Sequence, residues 1–238
     1  MCTVSFVPVK DAVIITSNRD EHIQRKNAAA PAFHSLKNKK IIFPKDQKAG
    51  GTWFAAGDHA VVAVLLNGAF NKHIAKPPYR KSRGLILLEI IEADDPVAFF
   101  TAMDLDHIEP FTIILFQCGS LYELRWDGNN KHERSLDTLR NYIWSSSTLY
   151  TDEVIENRER LFEQFIKTGK NITPGLVRDF HGDDHGDDEN GFVINRETGM
   201  KTFSITQAVI KPGSINFLHT DLLQHHQFEE TINIKRAQ

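Results

Sequence analysis

Apolar and polar positions alternate from the start of the chain. Residues 3–9 and 12–16 do so on either side of the short turn Val9-Lys10-Asp11, which predicts a β-hairpin. The polar stretch 22–40 predicts a long loop, and 40–43 a short strand. Residues 52–56 and the β-branched run 60–66, joined through Gly57-Asp58-His59, predict a second hairpin ending at Asn67-Gly68. Residues 111–117 and 121–126, split by Cys118-Gly119-Ser120, predict a third.

The period changes between the second and third hairpins. Residues 84–93 are apolar nearly all round, which predicts a deeply covered helix. Asp95-Pro96 then opens a further helix running to about 103. Residues 152–168 place Val154, Ile155, Leu161, Phe162, Phe165 and Ile166 at helical spacing, and 173–181 predicts a short helix. Residues 191–195, 201–210 and 214–218 return to strands. Strands, then helices, then strands predict an α+β fold with antiparallel sheets. No internal repeat or low-complexity tract divides the chain, so one domain over 1–238 is expected.

Composition narrows the function classes. With 238 residues, 41% of them hydrophobic, the chain can bury a sizeable core, and its net charge of −3 gives no reason to expect nucleic-acid binding. No apolar run approaches the roughly 18 residues of a membrane span, and no charged-then-apolar leader opens the chain. Neither stable membrane insertion nor a signal peptide is expected, which leaves the cytoplasm as the default location. Oligomeric state is not encoded legibly. Cys118 ends an apolar run and is expected as a buried thiol, with no disulfide framework.

Candidate chemistry starts at Cys2. A small residue after Met1 permits removal of Met1, which would leave Cys2 with a free α-amine beside its thiol. Such an amine titrates near about 8 and can act as a general base for the adjacent nucleophile. The first hairpin is expected to bring Asn18-Arg19-Asp20-Glu21 alongside it.

The opening Met1-Cys2-Thr3, the tetrad Asn18-Arg19-Asp20-Glu21 and the block Gly50-Gly51-Thr52-Trp53 resemble the NRDE family of transport and Golgi organisation protein 2 homologues. Through Cys2, Asp20 and Asn67 the chain is also similar, remotely, to cysteine N-terminal nucleophile hydrolases such as bile-salt hydrolase. The resemblance implies a four-layer αββα sandwich of the N-terminal nucleophile hydrolase type. It also implies haem trafficking, or handling of acyl cargo.

On the hydrolase likeness, Cys2, Arg19, Asp20 and Asn67 are the expected catalytic set. Cys2 would attack, Asp20 would hold its amine, Arg19 would lower its thiol pKa, and the Asn67 amide would donate to an oxyanion. Two departures thin that set: Trp144-Ser145-Ser146-Ser147 stands where an asparagine is expected, and Lys201-Thr202 where an arginine is. For a small amphipathic cargo, Asn18, Glu21, Gly50, Gly51, Trp53, Phe70, Lys72 and Arg80 are the expected binding residues. Aromatic walls would hold a porphyrin ring and cations its carboxylates. His73, His225 and His226 are candidate haem ligands, though no axial ligand is fixed by sequence. The acidic loop 181–189 has no recognised calcium spacing and is expected to be solvated, so no metal site is assigned.

Three functions are therefore weighed. A soluble, chaperone-like carrier of haem or a similar amphipathic cargo leads. A Cys2-dependent amidohydrolase or acyltransferase and a non-catalytic adaptor are the alternatives.

Overall fold

The computed structural model describes residues 3–169 and 171–235. The first hairpin forms as predicted. β1 (Thr3–Val9) and β2 (Ala12–His22) pair with Thr3 opposite Asn18 and Val9 opposite Ala12. A meander follows in chain order: β3 (Ala29–Leu36), β4 (Lys39–Lys45), β5 (Phe54–Gly57), β6 (Val61–Asn67), β7 (Phe111–Gln117), β8 (Ser120–Trp126) and β9 (Lys131–Leu136). Helices α1 (Arg83–Glu92) and α2 (Pro96–Ala102) are inserted between β6 and β7.

The chain then returns to the first sheet through β10 (Tyr142–Ser145), α3 (Asp152–Thr168), α4 (Pro174–His181), β11 (Met200–Lys211), β12 (Ser214–Asp221) and β13 (His226–Asn233). That sheet runs β10-β1-β2-β11-β12-β13, with every neighbouring pair antiparallel.

Side-chain alternation divides each strand between two cores. Val4, Phe6 and Ile15 of the first sheet meet Phe54, Val64 and Phe116 of the second in the central core. The other faces turn outward to helices. Ile86, Ile90 and Phe100 of α1 and α2 pack on Ala63, Leu65 and Ile113. Phe162 and Phe180 of α3 and α4 pack on Val7, Ile14 and Val209. The result is the four-layer αββα sandwich. Fully burying a Val, Leu, Ile or Phe side chain, as at Phe6, Ile15, Phe54, Ile90 and Phe100, contributes about 1.5–3 kcal/mol by removal from water.

Three expectations are corrected. Residues 22–40 are not a loop: β2 runs on to His22, and β3 and β4 pair as a hairpin. β3 lies at a sheet edge, so it lacks the buried face that would have marked it in sequence. Residues 191–195 form no strand, and there Asn195 makes one isolated bridge with Lys201. Cys118 is exposed, because it occupies the β7–β8 turn with a φ of 48°.

Helix caps foreshadow the site. Asp95, Thr151 and Thr173 accept hydrogen bonds from the third residue beyond them and cap α2, α3 and α4. Ser82, at the start of α1, makes no such bond. Its hydroxyl instead donates to Ala49 O at 3.5 Å.

Candidate functional site

The end of β2, the turn around 46–53, the end of β6 and the start of α1 converge on a cleft of about 880 Å³. Parity along β2 decides which members of the Asn18–Glu21 tetrad reach it. Arg19 and Glu21 share the face of Ile15 and line the cleft. Asn18 and Asp20 alternate to the other face of the sheet.

Arg19 is 2% exposed. Its guanidinium lies 4.3 Å from the centroid of the Trp53 ring and donates to Asp46 Oδ2 at 3.1 Å. Glu21 is 3.9 Å away. Burial lowers the Arg19 pKa, and Glu21 and Asp46 oppose that shift. Asp46 also accepts from Arg25 Nε at 3.0 Å and from the N–H groups of Lys48 and Ala49. Burial alone would raise the Asp46 pKa. The Ala49 N–H, Arg25 and Arg19 together hold it below the usual carboxylate value. Asp46 is thus the anchor of two cleft arginines, and a carboxylate two residues before Lys48, in a turn closed by Gly50-Gly51, is a readable signal for an Asx-turn.

Asn67, the last residue of β6, lines the cleft with Leu65. Its Oδ1 and the Nε1 of Trp53 are buried and have no hydrogen-bond partner among the described residues. Ser146 Oγ donates to Asn67 O at 2.8 Å, so the Trp144-Ser145-Ser146-Ser147 stretch does reach this corner. Behind Trp53, His219 is bonded to Thr206 Oγ1 at 2.8 Å. Burial, against the pull of Asp221 and with help from Arg19, brings its pKa down to about 4.

The far face of β2 is a fastening. Asn18 Nδ2 donates to His181 O at 2.8 Å and to Phe192 O at 2.9 Å, and Asn18 Oδ1 meets His181 Nδ1. Ser5 Oγ is 2.7 Å from His181 Nε2. Complete burial, then Arg158 and His185, bring the His181 pKa down to about 3. Asp20 accepts from Tyr150 at 2.8 Å and from Thr202 at 2.6 Å. Arg158, fully buried, reaches from α3 to Thr3 Oγ1 and to the carbonyls of Asn190 and Gly191. Cys2, next in sequence to Thr3, lies outside the described residues, as does Met1.

Of the expected binding residues, Glu21, Gly51, Trp53 and Arg80 line the cleft. Gly50 flanks it with a φ of 75°. Phe70, 49% exposed, packs under Arg125 and beside His132, outside the lining, and Lys72 also lies outside it. The candidate haem ligands are elsewhere. His73 is bonded to Glu109 beside a neighbouring depression, and His225 and His226 are exposed at the β12–β13 turn. The cleft lining contains no His, Cys or Met among the described residues.

In the acidic loop, Asp183, Asp184 and Asp187 accept backbone N–H groups of the loop itself. No group of three potential metal ligands forms among the described residues. Sequence reading missed Asp46, Arg25, Tyr79, Ser82 and Gly84 as cleft residues, because burial of the cleft depends on elements far apart in sequence.

Solved structures place the architecture. The Caenorhabditis elegans N-acylethanolamine-hydrolyzing acid amidase ortholog superposes with a TM-score of 0.59 at 10% identity, over 87% of this chain and 92% of that one. A mutant of the conjugated bile acid hydrolase from Clostridium perfringens superposes with a TM-score of 0.54 at 9% identity, over 100% and 97% of the two chains. At such identities the likeness is one of fold. No curated protein matches the sequence significantly. No described helix is long and apolar enough to cross a membrane. The family model of Transport and Golgi organisation 2 matches residues 1–191, and the chain belongs to that family.

Proposed function

We propose that this protein binds and delivers an amphipathic, acidic small molecule of the haem type, held in the cleft between β2, β6 and α1. The division of the lining carries this reading. Trp53, Leu65, Tyr79 and Leu85 offer an apolar wall, beside five cations (Arg19, Arg25, Arg80, Lys81, Arg83) and three carboxylates (Glu21, Asp46, Glu109). Arg80 and Lys81 are paired with Asp104 and Glu89 just outside the lining, so the cations are placed to orient an acidic group rather than to supply net charge, and about 880 Å³ is within the usual range for a ligand pocket. With no His, Cys or Met among the described lining residues, recognition falls on ring stacking and acid groups rather than on iron. A cargo that must be released calls for moderate affinity, about micromolar. Titrating haem into the purified protein should give a saturable absorbance shift. Trp53→Ala and Arg80→Glu should each weaken it several-fold. Unsaturable partition, or parent-like binding by both variants, overturns the reading.

A second reading, a Cys2-dependent amidohydrolase or acyltransferase, is favoured by Asn67. Asn67 lines the same cleft, where its Nδ2 amide is the group that would donate to an oxyanion, while its buried Oδ1, an acceptor, has no partner among the described residues. Because Cys118 is exposed, the test uses a Cys118→Ser background. Intact mass should then show loss of Met1, iodoacetamide should label Cys2 rapidly at neutral pH, and Cys2→Ala should abolish amide turnover. Retention of Met1 sinks this alternative.

A further inference from the structure

Charge pairing in the cleft leaves one positive pole without a partner. Arg19 and Arg25 bind Asp46, Arg80 binds Asp104, Lys81 binds Glu89, and Arg83 binds Glu109 at 3.0 Å. The start of α1 has no such compensation. Ser82 does not cap it, and no acidic residue stands in its first turn. Among the described residues its backbone bonding starts with Leu85 N donating to Ser82 O, so the N–H groups of Arg83 and Gly84 precede any helical acceptor. Ser82, Arg83, Gly84 and Leu85 all line the cleft. A ten-residue helix whose first N–H groups have no acceptor among the described residues carries a partial positive charge at that end.

A second, independent observation points to the same ligand. Trp53, 2% exposed and lining the same cleft, has an indole N–H with no acceptor. A buried donor left unpaired is costly, and a ligand acceptor would relieve it.

We infer that the N-terminus of α1 is the seat of the cargo's oxyacid group, a carboxylate or phosphate, with the Trp53 indole N–H as a further donor. This rests on the cargo-binding reading and deepens it. The acid is held by backbone N–H groups and the helix dipole, while the paired rim cations steer it in. The apolar body of the ligand then lies along Leu65, Tyr79 and Leu85.

Ser82→Asp tests the seat, because it should have opposite effects on fold and on binding. An N-cap aspartate stabilises a helix, and its negative charge occupies the place of the ligand acid. Dodecanoate, dodecyl phosphate and neutral dodecanol would be titrated into the full chain calorimetrically. The parent should bind both acids at least 10-fold more tightly than the alcohol, and the tighter acid names the head group. Ser82→Asp should raise Tm, lower affinity for both acids at least 10-fold, and leave dodecanol unchanged. Trp53→Phe should lower acid affinity about 3-fold more than it lowers dodecanol affinity. Equal binding of acid and alcohol by the parent, or an undiminished acid preference in Ser82→Asp with its Tm raised, overturns the seat alone. Failure of the parent to bind any of the three overturns the seat, whereas the haem titration alone decides the cargo reading.

Discussion

Gly51 and Gly84 meet backbone to backbone at the floor of the cleft. A Cβ on Gly51 would stand 2.8 Å from Gly84 Cα, and one on Gly84 would stand 2.7 Å from Thr52 O. Thr52 N donates to Gly84 O at 3.3 Å across the same contact. Two bare α-carbons therefore let the start of α1 settle directly on the segment that leads through Trp53 into β5. Any side chain here separates the helix from the cleft floor.

The first prediction follows from that contact. Gly51→Ala and Gly84→Ala should each destabilise the protein by about 1–3 kcal/mol, the usual cost of overpacking, because backbone and not a flexible side chain blocks the added methyl. At this chain length that is about 2–4 °C of Tm per kcal/mol. Gly50→Ala is the control: a Cβ there meets open space, and its cost comes from the positive φ alone. Parent-like melting of Gly51→Ala would contradict the packing argument.

Asp46 should be a stability residue as well as a cleft residue. Asp46→Asn leaves the buried Arg19 without its nearest anion, which costs about 3–5 kcal/mol for a pair of this kind. Because the folded Asp46 pKa is depressed, its contribution is whole above the unfolded value of about 3.9 and is lost as pH falls through the lower folded value. Urea unfolding of the parent should therefore weaken below about pH 4, and Asp46→Asn should remove part of that dependence.

Two buried histidines set a second, higher pH window. His181, with a pKa of about 3, and His219, with one of about 4, stay neutral in the folded chain. The unfolded chain protonates both near about 6.5. Their contribution is whole above that value and is lost as pH falls from there toward their folded values. Each should tilt unfolding free energy by about 1.4 kcal/mol per pH unit between pH 6 and 5, and His219→Gln should remove one such increment. A flat profile over that range would refute the neutral-histidine assignment.

Iron should be dispensable for cargo binding. Because the described lining offers no His, Cys or Met, haem and iron-free protoporphyrin should bind within about 3-fold of one another. His73→Ala and a His225→Ala, His226→Ala double variant should bind like the parent. Absorbance or tryptophan-quenching titration reads all four, and a large preference for the iron form would call for an axial ligand outside these residues.

Much of the fold was legible in the sequence for one reason. β1, β2, β6, β7 and β11 are central strands covered on both sides by the facing sheet and the helices, and that burial writes alternating or unbroken apolar runs into the residues. The helix α3 likewise announced itself by Phe162 and Phe165 at helical spacing. The strands left unread, β3, β9, β10 and β13, are the four edges of the two sheets. Edge strands carry polar and charged residues such as those of Lys131–Leu136, which block pairing with other chains and hide the strand from pattern reading.

The site divides along the same line. Sequence alone supplied Arg19, Glu21, Gly51, Trp53, Asn67 and Arg80, because short motifs place distinctive residues together. Only the tertiary structure decided that Arg19 and Glu21 enter the cleft while Asn18 and Asp20 fasten α4, Tyr150 and β11, since alternate residues of a strand must face opposite sides. Only the tertiary structure, too, brought Asp46 under Arg19 and set the uncapped start of α1 beside Trp53. Those contacts join residues 27 or more positions apart. No local pattern encodes them, because they arise only when the two sheets and their helices close on one another.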